Sequence, residues 1–122
     1  MLSLKRFIKS LTDALRGLKF VFKSEQNFRI QVVFGFLVLL ASIYFQLRTW
    51  EAILIILMVS LVLLVEILNT AFEYFTDLLK PRLHHYVYVV KDLMAGAVLL
   101  SSVVALTIGL IIFLPHFINL FK

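Results

Sequence analysis

Of the 122 residues, 62% are hydrophobic and 16% charged, with twelve Lys/Arg against seven Asp/Glu and a mean hydropathy of +1.03. A soluble domain is nearer half apolar and about a quarter charged, so an ordinary globular core cannot absorb this surface. The absence of cysteine excludes disulfides, thiolate metal sites and cysteine nucleophiles. The basic balance in so apolar a chain points to membrane orientation and anionic lipid, and no nucleic-acid partner is expected.

Residues 3–23, SLKRFIKSLTDALRGLKFVFK, place Leu4, Phe7, Ile8, Leu11, Leu15, Leu18 and Phe22 at helical spacing. Lys5, Arg6, Lys9, Arg16, Lys19 and Lys23 fill other positions, the pattern of a basic amphipathic helix lying in the headgroup region. Charges run throughout this segment, with no uninterrupted apolar stretch before a small-residue cleavage site, so it reads as mature protein rather than a secretory signal. The polar segment SEQNFRIQ, 24–31, leads into a first span over about 28–47.

After the turn QLRTWE, where Trp50 sits as an interfacial anchor, a second helix is predicted over 49–79, free of Gly and Pro. At 1.5 Å per residue it would reach roughly 46 Å, against a hydrocarbon thickness of about 30 Å, so one end must project. Pro81 and KPRLHHYVY form the predicted connection to a third span over about 93–114. The expected fold is therefore all-α: a single polytopic membrane domain over 1–122, three spanning helices behind an amphipathic surface helix. Ten basic residues lie in the N-terminal segment, the first-span entry and the loop between the second and third spans; only Arg48 and Lys122 lie on the other side. That asymmetry predicts a cytoplasmic N-terminus and an outward C-terminus.

The second helix carries LVEILNTAFEYFTDLL, 64–79. At 100° per residue Glu73 and Asp77 each fall within about 20° of Glu66, on opposite sides of it, and Asn69 about 60° away. In the predicted orientation Glu66 lies near the inner edge of the hydrocarbon and Glu73 and Asp77 at the cytoplasmic interface. An ionisable residue at membrane depth marks a functional site. The deeper, desolvated carboxylate suits a general base and the shallower, hydrated one a hard cation. Hydrogen bonding of Glu66 and Asn69 to a neighbouring helix is the plainer alternative.

The third span opens KDLMAGAV, 91–98. Lys91 can neutralise a phosphate, and a helix N-terminus there would add free N–H groups; Asp92 also fits an N-cap. Ala97, Ser101, Ala105 and Gly109 recur every four residues, a stripe for close helix packing within or between chains. The four glycines are scattered, so no phosphate-cradling P-loop or kinase glycine-rich loop exists. His84 and His85 read as solvated loop residues.

EILNTAFE (66–73) followed by KDLMAGAV (91–98), with SEQNFRIQ upstream, resembles the signature of the prokaryotic diacylglycerol kinase family, which includes undecaprenol kinases. The resemblance covers nearly the whole chain. It implies a homotrimeric enzyme of the bacterial inner membrane, transferring the γ-phosphate of MgATP to the hydroxyl of a lipid alcohol. It further implies Glu66 as catalytic base, and Glu25 and Glu73 as carboxylates for Mg²⁺ on ATP. Arg6, His84, Lys91 and Asp92 then belong to the nucleotide site, with Asn69, Arg29 and Ala95 as supporting residues. Arg82 departs from the acidic residue that members often carry there, and HHYVYVV is bulkier than the usual loop. Diacylglycerol and undecaprenol both stay open as acceptor; the AGAV entry, which resembles Gram-positive-type members, inclines towards undecaprenol or mixed specificity. The alternative from another class is a small oligomeric channel or proton-coupled transporter using Glu66.

Overall fold

The computed structural model describes residues 3–122, which form four helices. The first, α1 (Leu4–Ser24), starts where the Ser3 side chain accepts the Arg6 N–H, satisfying one of the free donors of a helix start. It ends at Glu25, whose extended backbone breaks the helical path for a single residue before α2 (Gln26–Tyr44) begins. Arg29 secures this corner. Its Nη1 donates to the carbonyls of Phe22 and Lys23, both at 2.8 Å, occupying acceptors that the end of α1 leaves open.

A short turn through Gln46, with positive φ, leads to α3 (Thr49–Asp77). Glu51 accepts the backbone N–H of Arg48 at 3.0 Å, capping that helix's first turn. Residues 78–83 turn the chain into α4 (His84–Leu120). With 29 and 37 residues, α3 and α4 extend roughly 44 and 55 Å, so both outrun the hydrocarbon thickness. Three helices, α2, α3 and α4, are long and apolar enough to cross a membrane.

The fourth helix corrects one expectation. The segment HHYVYVV was expected to be connection, with helix starting near residue 93; instead the helix begins at His84. Three of these residues are β-branched, and Val or Tyr has only modest helix propensity. Burial outweighs it, since Val87 is 1% exposed and its N–H bonds the Leu83 carbonyl. Lys91 and Asp92 thus stand in the third turn of α4, where their N–H groups belong to the helix. The proposed anion-binding N-terminus and the N-cap role of Asp92 are both withdrawn. The boundaries of the first three helices lie within a few residues of those predicted, α1 for 3–23, α2 for 28–47 and α3 for 49–79, while α4 also runs on past 114 to Leu120.

Packing is dominated by α3 against α4, with α2 along α3 and α1 meeting α2 at their corner. Gly35 lets α2 pack tightly against Val59 of α3. A Cβ built there would fall 2.8 Å from Val59 Cγ1. Buried apolar side chains are few (Val21, Phe28, Ile55, Val87 and Ile112), and large apolar residues cover the outside of the helices, a surface made for lipid or for other chains rather than water. Within the small-residue stripe of α4, Ser101 is buried, while Ala105 and Gly109 line an apolar groove of about 460 Å³ between α2, α3 and α4.

Candidate functional site

Glu66 is the most enclosed charged residue of the described chain, 1% exposed on the inner side of α3. Gln31 of α2 donates from Nε2 to its Oε2 at 3.3 Å. One turn on, Thr70 is also buried and bonds the Glu66 carbonyl through Oγ1, so its hydroxyl is spent on the helix itself. A buried carboxylate needs compensation, and here one neutral amide supplies it.

Continuing along α3, Asn69 and Glu73 enter a hollow of about 170 Å³ whose other wall is α4. Lys91 and Ala95 line that wall, with Val90 and Met94 beside them. The early start of α4 therefore brings Lys91 opposite Glu73 as a helix-wall side chain. Its ammonium donates to Asp77 Oδ1 at 2.9 Å, and Lys80 lies 3.8 Å from the same oxygen.

The third carboxylate arrives from the opposite direction. Glu25 occupies the one-residue corner between α1 and α2, and its carboxyl titrates above the ordinary carboxylate range. Partial burial is the chief cause, followed by the negative charges of Glu73 and Glu66; Arg29 opposes them. Glu25, Glu66 and Glu73 thus share one electrostatic neighbourhood, joining the corner to the α3 stripe.

Among the described residues no group of three His, Asp or Glu side chains has the geometry to cage a metal ion. A Mg²⁺ ion that travels with phosphates needs no such cage, since one or two carboxylates suffice. Glu25 and Glu73 fit that requirement: two hard oxygen donors, Glu25 raised first by burial and then by the Glu73 charge, a negative potential that a divalent cation relieves.

Other predicted residues stand apart. His84 and Arg6 are exposed, and the His84 ring packs edge-on against Tyr88 at 4.6 Å. Asp92 is exposed on α4. Arg29 is near the site, yet its guanidinium clamps the end of α1. Two residues were not singled out by sequence. Gln31 is one, although an amide near the entry of an apolar span signals an inward-facing role. The other is Glu51, which appeared as part of a turn; it is 8% exposed and faces His116 Nε2 at 3.4 Å from each carboxylate oxygen.

Comparison with known proteins identifies the family of the chain. A sequence profile described as "Prokaryotic diacylglycerol kinase" matches residues 12–113. The chain belongs to the prokaryotic diacylglycerol kinase family. It is 36% identical over 112 residues to the undecaprenol kinase of Bacillus subtilis (strain 168), covering 92% of this chain and 91% of that protein. Against the diacylglycerol kinase of Synechocystis sp. (strain ATCC 27184 / PCC 6803 / Kazusa) the identity is 33%, over 91% of this chain and 64% of the longer relative. The diacylglycerol kinase of Escherichia coli (strain K12) is 30% identical, with 92% of each chain covered. For this family member, kinship points to a multi-pass membrane phosphotransferase acting on lipid with ATP.

Proposed function

We propose that this chain transfers the γ-phosphate of MgATP to the hydroxyl of a membrane lipid alcohol, undecaprenol or diacylglycerol, and works as a homotrimer in the bacterial inner membrane. The observation that carries the reading is the buried Glu66, held by Gln31 and flanked by the carboxylates of Glu25 and Glu73. A base at this depth meets a lipid hydroxyl at the interface, and the shallower carboxylates meet the phosphates.

In the reaction, Glu66 takes the proton of the lipid O–H as the alcohol oxygen bonds to the γ-phosphorus. The bond from that phosphorus to the bridging oxygen of ADP breaks, giving ADP and the lipid monophosphate. Glu25 and Glu73 would hold magnesium, which supplies charge neutralisation on the phosphates when bound. Lys91 offers a movable positive charge beside the hollow, and Asn69 a neutral hydrogen-bonding amide. Such chemistry asks for positioning and electrostatics rather than a covalent intermediate. Arg6, His84 and Asp92 contribute to nucleotide binding in this reading, Arg6 from a surface helix lying on the headgroups with the N-terminus in the cytoplasm. Exposure suits them to a ligand or a neighbouring protomer.

The channel alternative needs polar groups through the outer half of the membrane. Between Glu51 and Glu66, α3 carries only Ser60, on an exposed surface. Higher identity to the undecaprenol kinase than to the two diacylglycerol kinases inclines the acceptor to undecaprenol. An assay of purified protein in mixed micelles, with labelled MgATP and either undecaprenol or dioleoylglycerol, tests this. Preferential label in undecaprenyl phosphate is expected. Transfer to neither lipid by a folded oligomer would remove the kinase reading.

A further inference from the structure

We propose that Gln31 is the positioning residue for Glu66: its carboxamide orients the buried carboxylate and fixes where its oxygens point. The inference rests on the reading of Glu66 as the base. Among the described residues, the Gln31 amide is the sole side-chain donor to that carboxylate, which has almost no access to water. The amide N–H faces the carboxylate when Glu66 acts as the base, since the reverse would then set two oxygens together with no proton between them.

The surroundings make this single bond consequential. Ile30 and Phe34, on either side of Gln31 along α2, are apolar and line the same groove as Gln31, and a hydrogen bond in a low-dielectric setting is electrostatically stronger than one in water. The charged groups in the Glu66 neighbourhood are carboxylates, with Arg29 turned to the end of α1. Glu25 approaches from the α1–α2 corner and Glu73 lies two turns along α3. The nearest cation on α4, Lys91, is engaged with Asp77, and residues 93–115 of that helix contain no titratable side chain. Gln31 is therefore the one side-chain dipole that the described residues set on the Glu66 carboxylate. An amide donates without being able to take the proton itself, so the pair has one proton acceptor and its identity is fixed.

The other end of the carboxamide is also informative. Gln31 Oε1 is buried and has no hydrogen-bond donor among the described residues. Buried acceptors are ordinarily paired, and this one lies on the side chain already bound to the base. It offers the incoming alcohol a first acceptor for its O–H before the proton passes to Glu66. Gln31 then holds both partners of the proton transfer in register.

The test uses the full chain in mixed micelles with MgATP and the preferred lipid alcohol, comparing wild type with Gln31→Leu, Gln31→Glu, Gln31→Asn and Glu66→Gln. Initial rates are measured across pH with both substrates varied. Loss of one hydrogen bond to a charged group predicts a kcat lower by about ten- to a hundredfold in Gln31→Leu, with the ATP KM changed by less than about threefold. The pH dependence of the rate should change as well, because the carboxylate has lost its one side-chain donor. Gln31→Glu preserves size, so it guards against a packing failure in the leucine variant. It should lose activity most at low pH, where two carboxyl groups share a proton, and recover as pH rises. Gln31→Asn, shorter by one methylene, should fall between wild type and Gln31→Leu. Unchanged kcat and unchanged pH profile in both Gln31→Leu and Gln31→Glu overturn the positioning role while leaving the kinase reading intact. An active Glu66→Gln, or an inactive wild type, instead removes the base reading and this inference with it.

Discussion

Lys91 of α4 reaches Asp77 of α3 with 2.9 Å between Nζ and Oδ1, bridging the two helices that wall the hollow at Asn69 and Glu73. The pair is half-open to solvent, and exposed ion pairs contribute little to stability. Its importance lies in where it parks a positive charge. Replacing Lys91 by Ala should raise the ATP KM by roughly tenfold or more, while Asp77→Asn frees the lysine and leaves that KM within about threefold. Neither variant should shift thermal unfolding appreciably. Kinetics over ATP concentration, paired with a melting curve in detergent, separates the two effects. Equal loss in both variants would indicate that the bridge itself, and not the cation, matters.

Glu66→Gln removes proton acceptance while keeping size and hydrogen-bonding capacity. General-base catalysis commonly supplies about 10²- to 10⁴-fold, so phosphate transfer should fall by that order. The variant should remain folded, because an uncharged amide is easier to bury than a carboxylate. The check is the transfer rate beside size-exclusion and melting profiles. A correctly assembled variant with wild-type rates would leave Glu66 as packing alone.

The raised titration of Glu25 gives a stability profile with a definite sign. Its ordinary value is 4.5, and the folded chain holds the proton to higher pH. Below 4.5 both folded and unfolded chains are protonated and the repulsion among Glu25, Glu73 and Glu66 is relieved. As pH rises through the folded value, the unfolded chain ionises first, and native stability declines. Metal-free protein should therefore melt at lower temperature above this window than below it, Glu25→Gln should flatten the change, and added Mg²⁺ should restore stability on the high-pH side by binding the ionised form. Melting temperature against pH, with and without Mg²⁺, measures all three.

The second span and its stripe were legible because nothing interrupts them. From Thr49 onward no Gly or Pro breaks the helix, and the 3.6-residue period fixes Glu66, Asn69 and Glu73 relative to one another. The start of α4 was not, since HHYVYVV combines modest helix formers with no capping signal. Its decisive interaction is the burial of Val87, a tertiary fact that periodicity does not carry. Contacts between helices were similarly out of reach. Gln31 and Glu66 are 35 residues apart, and Glu51 and His116 are separated by 65; side-chain period assigns faces but not their partners. Arg29 was placed near the site, yet its contact with the end of α1 depends on the abrupt corner at Glu25.

Glu51 and His116 form a second, part-buried polar contact, at the opposite end of α3 from Glu66. Besides His116, Glu51 accepts the Arg48 N–H, so the pair both caps α3 and ties it to α4. His116→Ala leaves a buried carboxylate with one fewer partner and should cost about 1–3 kcal/mol. Glu51→Gln keeps an acceptor for Arg48 and should cost less. Both should retain near-normal transfer rates at a temperature where they remain folded. Thermal melts and kinase assays on the same preparations test this; a large rate loss without destabilisation would tie the far end of the molecule to catalysis.

Gly35 offers the sharpest packing test. A methyl group at this position would stand 2.8 Å from Val59 Cγ1, closer than two carbons can sit, and a β-branched side chain has little freedom to turn away. Gly35→Ala should force α2 from α3, with overpacking of this kind costing about 1–3 kcal/mol. Because Gln31 lies one turn before Gly35 on the same helix, the displacement should also stretch its bond to Glu66 and depress kcat. Val59→Ala opens room for the new methyl, so the double variant Gly35→Ala/Val59→Ala should recover both stability and rate relative to Gly35→Ala. Independent, additive losses in the double-mutant cycle would break the link between this helix crossing and the geometry of the base.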